Sequence, residues 1–255
     1  MPIIQALDRA LRILDLFDEH TPELKITEIS ERMNLHKSTT HALLKTLRMH
    51  GYIDQDPHTG KYRLGLRLLE KGQLLLAGLD LRNVARPFLE ELSNATGQTA
   101  HLLVLDGQEG VYIDKVEGAQ APIRYSRIGR RVPLHSSAGG KVLAAFQPPE
   151  VLERLLENYR FAKHTPNTID SPERFRKELE WVRQEGCAYD REENEPGVWC
   201  VAAPIFGHDG KLAAATSLSF VTARVSEEDR RRFADLIRET AKAISARLGH
   251  RAPGR

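Results

Sequence analysis

The sequence predicts an α+β protein in two parts, an N-terminal winged helix-turn-helix and a larger domain built on a mainly antiparallel sheet. Three observations carry the prediction. Two short helical patterns meet at Asn34, and a hairpin pattern with its turn at Asp56-Pro-His-Thr-Gly60 follows at once. Later strand patterns come as neighbours joined by short glycine-containing turns, interspersed with helices. A length of 255 residues exceeds one small domain and suits a short module with a larger one.

Over Gln5 to Phe17, Leu7, Ala10, Leu11, Leu14 and Phe17 recur at helical spacing, with Asp8, Arg9, Arg12 and Asp15 on the other side. An amphipathic helix is expected there. Thr27 is the expected N-cap of a second helix ending at Met33, and Asn34 suits the following turn because asparagine tolerates left-handed backbone angles. A third helix is expected from Ser38 to Met49, stopped by Gly51. Its core stripe is Leu43, Leu44 and Leu47, so Ser38, His41, Ala42, Lys45 and Met49 face away. Tyr52 to Gln55 and Lys61 to Leu64 form the hairpin, Leu66 to Ala77 a connecting helix, and Gly78 a joint.

In the remainder, a helix from Leu81 to Ala95 leads to strands at Thr99 to Leu105 and Gly110 to Val116, with a further strand at Pro122 to Arg127. Ala138 to Phe146, Pro149 to Asn158 and Ser171 to Glu185 read as helices, the last with Ser171 as cap and Pro172 as first residue. Strands at Trp199 to Phe206 and Lys211 to Phe220 flank the turn at His208-Asp-Gly210, and a final helix spans Glu227 to Leu248.

Composition excludes several classes. Hydrophobic content of 41%, charged content of 28% and 6% aromatics describe a globular protein able to bury a core in each part. No apolar run approaches the roughly 18 residues of a membrane span, and the N-terminus lacks a signal-peptide stretch, so a cytoplasmic location and no membrane partner are expected. Cys187 and Cys200 are too few for a disulfide framework and lack zinc-ligand spacing, so no metal is expected. The net charge of +2 is unevenly spread: Lys25 to Gly65 holds seven basic and four acidic residues. From His36 to His50 there are three basic residues, three histidines and no acid, the footprint of a docked polyanion, although a solvated helix face would look the same.

Candidate DNA contacts follow from that helix and hairpin. Lys37, Ser38 and Thr39 stand at the helix start, where hydroxyls and amides suit phosphates or ordinary capping; His41, Lys45 and Arg48 project outward. Lys61 and Arg63 lie on the wing, within reach of phosphates or the minor groove. In the larger domain, Ser137-Ala-Gly-Gly-Lys141 opens a helix at Ala138, Gly139 and Gly140, whose free amides suit a carboxylate; a turn needing glycine for its backbone angles is the alternative. It fails as a phosphate loop, which requires glycine at His135 and a hydroxyl residue at Val142. Ser217 and Ser219 are two apart on an apolar strand, so both hydroxyls share one face, there to meet a ligand or nearby backbone.

Taken together, several blocks resemble the IclR family of bacterial transcription regulators along nearly the whole chain. They are Leu35-His-Lys-Ser-Thr-Thr-His-Ala-Leu-Leu44, Gly51-Tyr-Ile-Asp-Gln-Asp-Pro-His-Thr-Gly-Lys-Tyr-Arg-Leu-Gly65, Tyr112-Ile-Asp-Lys-Val-Glu-Gly118, Ile128-Gly-Arg-Arg-Val-Pro-Leu-His135, Ser137-Ala-Gly-Gly-Lys141 and Gly197-Val-Trp-Cys-Val-Ala-Ala-Pro-Ile-Phe206. The resemblance implies a winged helix over 1–65, a linker helix over 66–80, a GAF-like effector-binding domain over 81–249 and a tail over 250–255. It implies double-stranded operator DNA and a small carboxylate effector as partners, a homodimer or homotetramer, and no cofactor. As residues alone, Asp190 is a turn-capping carboxylate and Cys200 a core thiol; the resemblance puts both, with Val198, in the effector pocket. Many relatives carry Arg at the position of Ala42 and Cys at that of Ser136, so this chain departs from them on both surfaces. The expected function is a ligand-responsive repressor of a catabolic operon, controlled by a small organic or sugar acid. The rival is a small hydrolase or transferase using Cys200 with His101 or His135; the apolar strand around Cys200 and the lack of paired catalytic groups argue against it, and no catalytic residue is expected.

Overall fold

The computed structural model describes residues 3–18, 21–71, 81–120 and 126–251, and the chain divides into two compact units, Met1–Leu79 and Asp80–Arg255. In the first unit α1 (Gln5–Leu14), α2 (Ile26–Met33) and α3 (Lys37–Met49) precede a hairpin of β1 (Ile53–Gln55) and β2 (Tyr62–Leu64). Asn34 adopts φ 51° and ends α2, as its tolerance of left-handed angles predicts. Gly51, at φ +73°, does the same after α3. Ile13, Ile29, Leu44, Leu47, Ile53 and Tyr62 meet in one buried cluster. Leu24 pairs with Tyr62 through two backbone hydrogen bonds of 2.8 and 3.0 Å, a single bridge on the other side of β2 from β1.

Three elements of this unit differ from expectation. α1 stops at Leu14, and its apolar stripe is not all core: Leu7 and Leu11 are over half exposed, while Ile13, with no exposed surface, is the residue that packs inward. The N-cap of α2 is Lys25, not Thr27, because the Glu28 carboxylate accepts the Lys25 amide at 2.7 Å and fixes the first turn two residues earlier. α3 begins at Lys37 with His36 as N-cap. Residues 67–71 are helical, but the rest of the expected connecting helix and Gly78 lie outside the described residues.

The second unit has α4 (Leu81–Thr96), β3 (Thr99–Asp106), β4 (Glu109–Val116), β5 (Arg131–Pro133), α5 (Ala138–Ala145), α6 (Pro149–Leu156), α7 (Pro172–Glu185), β6 (Ala188–Arg191), β7 (Val198–Phe206), β8 (Leu212–Val221) and α8 (Glu227–Arg247). The strands form one sheet in the order β5-β4-β3-β8-β7-β6, antiparallel at every pairing. Side-chain alternation splits the core in two. Ala100, Leu102, Val201, Leu218 and Phe220 pack with Ala85, Leu89, Phe233 and Ile237 of α4 and α8. Leu103, Ala202 and Ala215 face the other way, onto Val142, Leu143, Phe175 and Leu179 of α5 and α7. Each large apolar side chain so removed from water contributes roughly 1.5–3 kcal/mol, and both layers contribute in this way.

β5 and β6 escape the sequence reading because three or four residues are too few to show a period. The strand expected at Pro122 to Arg127 falls mostly outside the described residues, and its described end, Ser126 and Arg127, is not in a strand. α6 ends at Leu156, and Asn158 beyond it takes φ 57°. No helix among the described residues is long and apolar enough to cross a membrane.

Candidate functional site

On the first unit the outward face of α3 is laid out by its core stripe. Thr40, Leu44 and Leu47 are buried, which leaves Lys37, Ser38, His41, Ala42, Lys45, Arg48 and Met49 exposed and Thr39 half-buried. Arg48 Nη1 donates to Gln55 Oε1 at 3.0 Å, so the helix and the wing hold each other. The wing turn is rigid: Asp56 Oδ1 accepts from the amides of His58 and Thr59 at 2.8 and 2.7 Å. Lys61 lies 3.6 Å from Glu23, and Arg63 lies 2.9 Å from Asp54. The Arg63 hydrogen bond holds the Asp54 carboxyl below its usual range. The two wing cations therefore carry acidic neighbours, while Lys37 and Lys45 are exposed on a helix that contains no acidic residue.

On the second unit three of the candidate effector residues form a row across the sheet. Asp190 of β6 stands opposite Cys200 of β7, and Cys200 opposite Ser219 of β8. The residues are ten and nineteen apart in sequence, so only strand register brings them together. The next row sets Ala202 beside Ser217 and Ser217 beside His101. Both rows lie on the face covered by α5, where Ala138 opens that helix; Val198, also buried, is on the same alternation of β7.

The local chemistry of the row is that of hydrogen-bonding groups: a carboxyl, a thiol and a hydroxyl. Ser217 and Ser219 are 3% and 2% exposed, and Cys200 Sγ meets Ser219 Oγ at 3.1 Å. Burial pushes the Cys200 thiol up. Burial likewise lifts Asp190 to about 7, against the lowering effect of the Glu193 amide. Asp190 Oδ1 accepts from the amides of Glu193 and Asn194 at 2.7 and 3.2 Å, so it does cap a turn.

The glycines of α5 have a structural reason the sequence did not disclose. Neither has a positive φ, so no turn angle demands them. A Cβ on Gly139 would sit 2.9 Å from Leu103 Cδ2, and one on Gly140 would sit 2.3 Å from the Pro133 carbonyl. They let the helix press against β3 and the preceding chain. Ser137 caps the helix by accepting from the Gly140 amide at 3.1 Å.

Lys141, absent from the sequence-based set, is the residue that reasoning missed. It is fully buried, and its Nζ donates to Glu178 Oε1 at 3.0 Å, Tyr189 O at 2.7 Å and Glu193 Oε1 at 2.7 Å. A lone charge inside Ala-Gly-Gly-Lys-Val-Leu-Ala-Ala was the available signal, since a lysine amid apolar helix positions must be paired if it is buried.

The enzyme reading finds no dyad. Cys200 contacts Ser219, His101 Nε2 contacts Ser126 Oγ at 2.8 Å, and His135 is held by Tyr159 OH and Ala162 O at 2.9 Å each. Among the described residues no histidine is in hydrogen-bond contact with the thiol, and its burial together with the Asp190 carboxyl opposite it keeps it protonated. A cleft of about 510 Å³ opens beside His135, Tyr159 and Arg131, and one of about 700 Å³ beside Arg191, Trp199 and Arg230; neither includes any of the eight candidate effector residues. Among the described residues no cluster of three or more His, Cys, Asp or Glu could hold a metal.

Comparison with known proteins assigns both units to known domain families. Residues 6–57 match the IclR helix-turn-helix domain, and residues 73–246 match the bacterial transcriptional regulator IclR C-terminal domain. The chain is 51% identical to the HTH-type transcriptional regulator XynR of Escherichia coli over 252 residues, covering 99% of this chain and 100% of that one. It is 39% identical to the Escherichia coli regulator KdgR over 228 residues, covering 89% of this chain and 87% of the relative. Among solved structures, Agrobacterium tumefaciens repressor BlcR superposes with a TM-score of 0.81 at 26% identity, over 97% of this chain and 98% of that chain. All three bear the names of regulators or repressors. With both domain matches and the exposed basic helix in place, the chain belongs to the IclR family of bacterial transcription regulators.

Proposed function

We propose that the protein is a repressor of a catabolic operon whose hold on operator DNA is set by a small organic or sugar acid. The observation that carries the reading is the pairing of two surfaces on one chain. α3 offers Lys37, Ser38, Thr39, His41, Lys45 and Arg48 with no acid between His36 and His50, and the wing adds Lys61 and Arg63. The second unit offers Asp190, Cys200, Ser217 and Ser219 with Val198 on the sheet, and Ala138, Gly139 and Gly140 at the start of α5. A helix N-terminus favours an anion, and the hydroxyl and carboxyl groups select among hydroxylated acids. Repression is favoured by the relatives, which include BlcR and the 35%-identical DNA-binding transcriptional repressor YiaJ of Escherichia coli.

Two copies acting together fit a helix-turn-helix that reads two half-sites about one DNA turn apart. Exposed Ile3, Ile4, Leu7 and Leu11 on and beside α1 supply an apolar strip suited to a second subunit. The effector alters DNA affinity only by binding one arrangement of the protein better than another, and typical couplings of about 1–3 kcal/mol give up to ~150-fold changes.

The test uses fluorescence anisotropy on DNA from the promoter next to the protein's own gene, with sedimentation for assembly and a thermal-shift panel of small acids and sugar acids. Ser217→Ala with Ser219→Ala is expected to keep operator affinity and lose the response to the acid that shifts the wild type. A double variant that responds at wild-type concentrations would place the effector elsewhere.

A further inference from the structure

His101 lies in β3 with no exposed surface, directly across from Ser217 of β8. It therefore leaves the sheet on the same side as Ser217 and the row of Asp190, Cys200 and Ser219. Its Nε2 meets Ser126 Oγ at 2.8 Å, and its ring centroid is 4.7 Å from that of Tyr112. Its Nδ1 is buried with no hydrogen-bond partner among the described residues. An unmade hydrogen bond in a buried site is unfavourable, and such exceptions call for an explanation.

Two neutral tautomers are available. In one, Nε2–H donates to Ser126 and Nδ1 is an acceptor; in the other, Ser126 donates to Nε2 and Nδ1–H is a donor. An alcohol hydroxyl satisfies either form, because it both donates and accepts, whereas carboxylate and keto oxygens only accept and so satisfy the second form alone. The cation that faces His101 is Lys115, directly across from it on β4, and its Nζ already donates to Glu117 Oε1 at 3.0 Å and to the Ser126 carbonyl at 2.8 Å.

We propose that His101 is a specificity-determining residue of the effector site, its Nδ1 hydrogen-bonding a hydroxyl of the effector, which is therefore a hydroxylated acid rather than a plain or keto acid of the same length. This rests on the effector reading above and adds to it a residue outside that set.

The full-length protein is titrated calorimetrically with straight-chain aldonic acids of four to six carbons and with the unsubstituted and 2-keto acids of the same lengths. Wild type is expected to bind an aldonic acid at least about ten-fold more tightly than its unsubstituted and keto counterparts, the loss expected when a buried hydrogen-bonding group goes unpaired. The deciding variants are His101→Asn, which keeps a polar atom near the Nδ1 position, and His101→Gln, which keeps one near Nε2. If His101 reads the effector, Asn keeps affinity within a few-fold and Gln loses about ten-fold or more. If the ring serves only to hold Ser126, the ranking reverses. Any ranking other than the first, equal effects included, overturns the proposal, as does failure of the wild type to prefer an aldonic acid. Should either variant not fold, the ring nitrogen resonances of His101 in wild type decide: a bound aldonic acid moves Nδ1 and leaves Nε2, and an unmoved Nδ1 overturns the assignment. The underlying reading fails separately, if Ser217→Ala with Ser219→Ala binds the same acid as tightly as wild type.

Discussion

Lys141 Nζ lies 2.7 Å from Glu193 Oε1, with the lysine fully buried and the glutamate 4% exposed. The pair ties α5 to the turn after β6, the same turn that Asp190 caps. Burial raises Glu193 and the Lys141 charge lowers it, so the ion pair offsets the loss of water around the carboxylate. Breaking one partner leaves the other charge unpaired in the interior. Lys141→Met is expected to destabilise the second unit by about 3–5 kcal/mol, with part recovered when Glu193→Gln is added. Trp181 and Trp199 are the only tryptophans and both lie in this unit, so denaturant titration followed by their fluorescence reads it directly. A Lys141→Met variant as stable as wild type would mean the pair contributes nothing.

The pH dependence of the same unit should contain two opposed slopes. Burial lifts Asp190 from 3.8 to about 7, so the folded state keeps a proton that the unfolded chain has released, and stability falls as pH rises across that interval. Burial, aided by Lys115, lowers His101 from 6.5 to about 3, so the unfolded ring takes up a proton first, and stability falls as pH drops below about 6.5. Between pH 4.5 and 6.5 the two slopes offset. Asp190→Asn leaves the histidine slope alone, and its stability should rise by about 2–3 kcal/mol over that interval. His101→Asn should show the reverse. Denaturation midpoints at four or five pH values check both, and parallel profiles for the two variants would refute the assignment.

Gly140→Ala should be among the most damaging single changes in the chain. The added Cβ would meet the Pro133 carbonyl at 2.3 Å and Leu134 Cα at 2.7 Å, and backbone cannot step aside as a side chain can. A loss above about 3 kcal/mol is expected, at or beyond the upper range for overpacking. Gly107→Ala, with nothing within 4 Å of its Cβ but φ +61°, should lose about 1 kcal/mol or somewhat more from backbone strain alone. Comparable losses in both variants would argue against the close helix–sheet approach.

Lys45→Ala and His41→Ala should weaken operator binding without changing the melting temperature, because both side chains are exposed on α3. Loss of a phosphate contact at Lys45 should flatten the plot of log affinity against log salt by about 0.9. Anisotropy titrations at four salt concentrations measure it. An unchanged slope would move the phosphate contact to another residue.

Much of the DNA-binding half was legible in the chain because its signals are local. Leu43, Leu44 and Leu47 define the inward side of α3 at a period of 3.6, Asn34 and Gly51 mark the ends of two helices, and Pro57 and Gly60 mark the wing turn. Periodicity misled where its physical premise failed: Leu7 and Leu11 recur at helical spacing, yet they stay exposed on α1. The short strands β5 and β6 are visible only once a longer neighbour pairs with them.

The sequence by itself determined the class, the order of the two parts, the family and the exposed basic face of α3, since composition, helical period and turn residues are properties of contiguous chain. Only the tertiary structure decided that Asp190, Cys200 and Ser219 stand in one row, that His101 flanks Ser217, and that Lys141 is buried against Glu178 and Glu193. Those relationships join residues that are 10 to 116 positions apart; the first two depend on strand register, and the third on how α5 packs against α7 and the turn after β6. A slip of one residue would turn every one of the strand side chains to the opposite face. Register is settled by which apolar sets bury together against α5 and α8, a choice made by the whole folded domain and not by any one segment of it.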